Sequence, residues 1–238
     1  MSYQWLTLAG YWNDFVHASW LTLQVTLLAF VVALLLGLLT ALASVSRVGP
    51  LRAIARVYIE AIRNTPVLLQ IFIVFFGLPS LGITLDAYTA GVIALGVNVG
   101  AYLAEVLRAG IQSVPRGQLE AASLLGLERS QIFFEVVLPQ AARAVYPAIV
   151  NNLIQLLLGT SLLSAIALPE LSGTATVINA RTLLYIQTFS TTLIAYLLLS
   201  NLLSWLAGQI GVRVFHPPLV MKKRARQPFF VARQADRI

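Results

Sequence analysis

The chain has 238 residues, of which 58% are hydrophobic and only 11% charged, with a formal net charge of +7. A mean hydropathy of +0.83 makes lipid, not water, the expected solvent for most of the surface. Cysteine is absent, which excludes disulfides, thiol catalysis and cysteine-ligated metals, and the two histidines, His17 and His216, lie at opposite ends of the chain and are expected on opposite sides of the membrane, where they cannot share a metal.

Residues 1–19 place Trp5, Leu8, Trp12 and Phe15 at helical spacing, the pattern of a short aromatic-anchored helix in the outer interface. Five stretches without a charged side chain follow, covering 15–46, 64–85, 87–104, 144–169 and 182–212. Crossing the hydrocarbon layer takes about 20 apolar residues, and a charge at its centre costs about 2.5–3.5 kcal/mol. The expectation is an all-α membrane protein with five spans near 20–44, 56–78, 87–107, 147–168 and 188–210. Apolar runs of this length without alternation exclude a β-barrel. The TALAS segment after the first run has the small residues of a signal-peptidase site, but no basic residue precedes it and the run is too long, so the first span is expected to be retained.

Between the first two spans, RVGPLR makes a turn, and AIARVYIEAIRNTP continues as a helix with Arg52, Arg56 and Arg63 at the membrane surface. GLPSLGITLD forms an outer loop. The third span sets Gly91, Ala94, Asn98, Ala101 and Glu105 on one face, and its GVNVG segment fits the small-xxx-small pattern of close helix contact. Asn98, at mid-membrane, has to face the bundle interior or a cavity, so it serves either as packing glue or as a substrate contact. The fourth span is expected to begin near Pro147. The connection ALPELSGTATVINARTLLYIQT lies outside and holds either a short helix or a re-entrant piece. Residues 212–238 form a basic tail.

The basic residues orient this bundle. Arg47, Arg52, Arg56, Arg63, Arg108, Arg116, Arg129, Arg143, Arg213 and the tail put fifteen of the sixteen on one side, leaving Arg181 opposite. The positive side is cytoplasmic, so the N-terminus lies outside and the C-terminus inside. Anionic lipid then accounts for the positive charge, and no nucleic-acid partner is called for.

That topology puts residues 115–140 in the cytoplasm. QLEAASLLGLERSQIFFEVVLP reads there as two short helices, 118–125 and 128–137, separated by a left-handed Gly126 and stopped by Pro139. The first is too short to stand alone. Ala121 and Ala122 give it a flat face, Leu124, Leu125 and Leu127 give it anchors, and Glu120 suits its N-terminal dipole. Such an element suits a groove on a soluble partner.

Glu120, Ala121, Ala122, Gly126, Leu138 and Pro139, spaced as EAAxxxG(x9)VxLP, resemble the cytoplasmic signature of permease subunits of bacterial binding-protein-dependent ABC importers. WLTLQVTLLAF, EAIRNTPVLLQIFIVFFGLP and AYLAEVLRAGIQSVPRGQLEAA look like the polar amino-acid branch, and the resemblance spans 20–211. It implies a type I importer permease in the bacterial inner membrane, with no catalysis and no cofactor in this chain. ATP and Mg²⁺ would belong to a cytoplasmic ATPase dimer docked on the signature loop. A second permease subunit, identical or different, and a periplasmic binding protein delivering the amino acid would complete the assembly. No GxxxxGK[ST] occurs here, so the chain cannot supply the power itself.

Relatives in that branch commonly carry Lys-Asp-Thr-Ser in the fourth span, where this chain has Leu158, Gly159, Thr160 and Ser161. Thr160 and Ser161, with Asn98 and the Asn64, Thr65, Gln70 cluster, make a candidate polar lining, or else their side chains bond back to their own helices. The competing classes are an ion-coupled carrier or other self-sufficient membrane protein, and a structural scaffold. A carrier needs mid-membrane carboxylates, which the charge-free runs lack, and an intramembrane serine hydrolase needs a base, which neither histidine supplies because neither lies within a span. A scaffold has no use for a cytoplasmic docking helix.

Overall fold

The computed structural model describes residues 2–215, so most of the basic tail, with His216, lies outside the described residues. Helix α1 (Ser2–Ala9) ends at a turn through Gly10, and α2 (Trp12–Ser44) follows. At 33 residues α2 is about 50 Å long, against about 30 Å of hydrocarbon. Its first two turns, expected to belong to a separate interfacial helix, are therefore a continuation of the first long helix. The expected aromatic face also divides. Leu8 and Phe15 are buried against Leu171 and Ile178, whereas Trp5 and Trp12 stay exposed.

The second span, expected to run straight through 56–78, is bent in the structure. Helix α3 (Gly49–Arg63) stops at Asn64, and α4 (Val67–Phe72) sets off at 106° to it, prolonged by a π turn (Ile73–Gly77) and a 3₁₀ turn (Leu78–Leu81). Thr65 precedes Pro66 and is driven out of the helical region, while Pro66 has no N–H to offer the preceding turn. Helix α5 (Ala87–Gln112) starts where Asp86 accepts hydrogen bonds from the Tyr88 and Thr89 N–H groups at 3.1 and 3.2 Å. Among the described residues four helical runs are long and apolar enough to cross a membrane, or five if the bent pair counts as one.

Helix α6 (Arg116–Leu124) is followed by α7 (Arg129–Gln131), a π turn (Ile132–Val137), α8 (Leu138–Gly159) and a 3₁₀ turn (Thr160–Ile166). From Arg129 to Ile166 the helical run is unbroken. Neither Pro139 stopping a helix nor Pro147 starting one is observed. Pro139 sits in the first turn of α8, just after the π turn, whose wider winding moves the carbonyl a proline ring would otherwise strike. Helix α9 (Leu171–Thr182) fills the long connection, and α10 (Tyr185–Val214) closes the bundle.

Helices α2 and α5 form the centre. Val25, Ala29, Ala33, Gly37 and Ala41 recur every fourth residue along α2 and are all buried, an alignment of small side chains that lets α5 approach closely. A Cβ at Gly37 would stand 2.8 Å from Leu103 Cβ and 3.2 Å from the Gly100 carbonyl, and one at Gly96 would stand 2.7 Å from Val32 Cγ1. Gly37→Leu therefore has to push the two helices apart. We expect it to lower stability by about 1–3 kcal/mol, read as a fall in the thermal unfolding midpoint of the detergent-solubilised protein. An unchanged midpoint would show that this contact is loose.

Candidate functional site

The segment 115–140 presents a short helix held at one side only. Helix α6 is capped by Pro115 without a side-chain partner and ends through Gly126 at φ +83°, a left-handed position suited to glycine. Glu128 then opens α7 with a reciprocal cap, its backbone N–H donating to Gln131 Oε1 at 2.8 Å. Ala122 is 5% exposed and packs inward, whereas Leu124 and Leu125 are 89% and 82% exposed. Glu120 and Ala121 also face outward, and Leu127 is half-buried. The two alanines, expected to share one flat docking face, thus point opposite ways. Gln140 Nε2 donates to Gln118 Oε1 at 2.7 Å and fastens α6 to the start of α8, beside the exposed Pro139.

Four of the six polar residues singled out from the sequence lie around the α3–α4 break. Gln70 Nε2 donates to the Ile62 carbonyl and to Thr65 Oγ1, both at 2.8 Å, and Gln70 Oε1 accepts from Asn98 Nδ2 at 2.9 Å. This fixes which way each amide points, and it links α4 to the central helix. Thr65 Oγ1 also donates to the Ala61 carbonyl, and Asn64 Nδ2 to the Glu60 carbonyl, each at 2.8 Å. Asn64 borders a cavity of about 210 Å³ with Ile59, Glu60, Arg63 and Tyr102. The other two residues stand apart. Thr160 is fully buried and donates to the Leu157 carbonyl at 2.6 Å, and Ser161 donates to the Leu158 carbonyl at 2.7 Å, so both hydroxyl protons are spent on their own helix.

Below Asn98 on the same face of α5, Tyr102 and Glu105 continue the polar line. Arg63 lies 5.3 Å from the centre of the Tyr102 ring and 3.6 Å from Glu105 Oε2. Arg108 grips Glu105 with two bonds, of 3.1 and 2.9 Å. The sequence reading placed Glu105 on this face without assigning it a partner. The i, i+3 spacing to Arg108 was the signal available.

A second feature escaped the sequence altogether. Glu170 is fully buried, and its carboxylate accepts from the Ser172 and Gly173 N–H groups at 3.0 and 2.8 Å and from the Tyr196 hydroxyl at 2.6 Å. The Leu171 N–H donates to Thr22 Oγ1 at 3.2 Å, so α9 is tied to α10 and α2 at one point. Gly173 is obligatory there, since a Cβ would collide with the Leu168 carbonyl.

Comparison with known proteins decides between the classes. The family model described as "Binding-protein-dependent transport system inner membrane component" matches residues 33–216. The chain belongs to this family. The permease is 41% identical over 174 residues, 73% of its own length and 74% of the other's, to the L-cystine transport system permease protein TcyB of Bacillus subtilis. It is 37% identical, over 73% of its length and 78% of the relative's, to the probable glutamine ABC transporter permease protein GlnP of the same organism. A crystal structure of an amino acid ABC transporter with histidines superposes with a TM-score of 0.83 at 35% identity, over 88% of the permease and 98% of that chain. An inward-facing MetNI methionine ABC transporter shares the fold, with a TM-score of 0.68 at 21% identity over 82% and 94% of the two chains. As a family member, the permease is a multi-pass inner-membrane component without catalysis of its own, and nucleotide chemistry resides in a separate ATPase.

Proposed function

We propose that the permease carries a polar amino acid or a close derivative inward through a five-span bundle, N-terminus outside and C-terminus cytoplasmic, moved by an ATPase dimer docked on residues 115–140. The observation that carries this reading is the pair Leu124 and Leu125, presented to solvent on a helix whose inward side is held through Ala122, Leu119 and Gln118. Two large apolar side chains side by side at a water-facing loop tip are costly unless a partner covers them. A second permease subunit and a periplasmic binding protein complete the assembly. The relatives that transport cystine, glutamine and arginine support an amino-acid substrate, and the substrate path runs past Gln70, Thr65 and Asn98 toward Asn64 and Glu105. Thr160 and Ser161 complete the lining in this reading, their hydroxyls here bonded back to their own helix.

The test is ATP hydrolysis by the reconstituted assembly, stimulated in turn by binding proteins loaded with cystine, glutamine or arginine. One of them is expected to stimulate several-fold. In that assay Asn98→Ala and Gln70→Ala are each expected to shift the substrate response several-fold; Asn98→Ala loses one interhelical hydrogen bond, at a cost of about 0.6 kcal/mol, and Gln70→Ala loses its bonds to Ile62 and Thr65 as well. Wild-type transport kinetics with a lowered unfolding midpoint would assign the pair to packing and remove it from the path.

A further inference from the structure

Helix α3 divides into two flanks. Leu51, Ile54 and Val57 are exposed along one. Arg52, Arg56, Glu60 and Arg63 recur at i, i+4, i+8 and i+11 along the other and so form a single stripe. That stripe, with Ser44 at the end of α2, Glu105 and Arg108 of α5, and Ile59 beneath, lines a cavity of about 420 Å³.

The charges in this cavity do not balance. Four arginines face two glutamates, leaving two positive charges over. Glu105 is already taken by Arg108 and Arg63. Among the described residues the side chains of Arg52 and Arg56 have no hydrogen bond or ion pair, and Glu60 lies beyond bridging distance of both. Two guanidinium groups one helical turn apart repel each other. Their planar forks match an oxyanion with several acceptor oxygens, above all phosphate. An amphipathic helix with one apolar and one basic flank also fits the depth at which phospholipid headgroups lie.

We propose that this cavity is a phosphate site, in which Arg52 and Arg56 grip a phosphate-bearing anion with Arg63 and Arg108 closing the wall. Two sources offer that chemistry, the headgroup of an anionic phospholipid and a soluble phosphate. The phosphate chemistry follows from the arginines alone and does not depend on the orientation of the bundle or on what it transports.

The experiment uses the assembled transporter in nanodiscs of phosphatidylcholine with a small fraction of phosphatidylglycerol, the retained phosphatidylglycerol being counted by native mass spectrometry. Arg52→Gln with Arg56→Gln is expected to weaken retention roughly tenfold. Arg47→Gln, which removes a neighbouring charge outside the cavity, is expected to leave it unchanged. Arg52→Lys with Arg56→Lys keeps the charge and the fold but loses the fork, and is expected to weaken retention several-fold. Displacement of the lipid by millimolar inorganic phosphate would identify a soluble phosphate as occupant, and resistance to it the lipid. Retention equal to wild type in both double variants, or an equal loss in Arg47→Gln, overturns the proposal.

Discussion

A permease carrying Leu124→Glu and Leu125→Glu is expected to insert, fold and purify like the wild type, yet to lose substrate-stimulated ATP hydrolysis by a factor of ten or more. Both side chains are almost wholly solvent-exposed in the isolated subunit, so their replacement removes almost no internal packing and even lowers an exposed apolar area. A large apolar side chain fully buried at an interface contributes about 1.5–3 kcal/mol. Two such losses, compounded by burying carboxylates against an apolar groove, exceed the 1.4 kcal/mol that corresponds to a tenfold change. The measurement is a pull-down of the ATPase together with the hydrolysis rate in proteoliposomes. Normal coupling in the double variant would show that the ATPase rests elsewhere on the chain.

Glu170→Ala is expected to act in the opposite sense, leaving the ATPase contact intact and damaging the permease itself. Its removal strands the Ser172 and Gly173 backbone N–H groups and leaves the Tyr196 hydroxyl only the Ser172 hydroxyl, at 3.2 Å. Each stranded donor costs about 1–3 kcal/mol, so a loss of roughly 3 kcal/mol or more is expected in the unfolding free energy. The carboxylate lies in the connection outside the spans, and burial pushes it above the usual carboxylate range, more strongly than the hydrogen bonds from Tyr196, Ser172 and Gly173 pull it down. The native state therefore binds this proton more tightly than the unfolded chain does. Stability from this group is full below the ordinary glutamate range and declines as pH climbs through the raised native value. Thermal unfolding across that window should show the decline, and Glu170→Gln should flatten it. A pH slope unaltered by Glu170→Gln would assign it to other groups.

Features that depend on neighbouring residues were legible in the sequence. The left-handed turn at Gly126, the helix beginning after Glu128 and the close contact through Gly96 and Gly100 all follow from a few adjacent side chains. The exposed Leu124 and Leu125 follow too, once the loop is assigned to water. The errors arose where length stood in for geometry. Hydropathy along 56–78 carries no record of direction, so the turn at Pro66 went unseen although the proline was in plain view. At Pro139 the usual penalty for a proline is met by a wider helical winding, which no residue pattern announces. The Glu170 cluster joins the Leu171 N–H to a side chain 149 positions away and the Glu170 carboxylate to one 26 positions away. Its local hint, a glutamate after a proline and before Ser-Gly, is shared by many ordinary helix starts.

The uninterrupted run from Arg129 to Ile166 has a mechanical meaning. At 38 residues it is a strut about 57 Å long, with α6 fastened near one end through Gln118 and Gln140 and Leu158 to Ser161 near the other. A push on α6 would reach the run through the Gln118–Gln140 hydrogen bond, close to the π turn at Ile132–Val137. Under the docking proposed above, tilting the strut by a few degrees would turn Thr160 relative to α5, so the ATPase would act on the far end of the helix by leverage, without unfolding any of it.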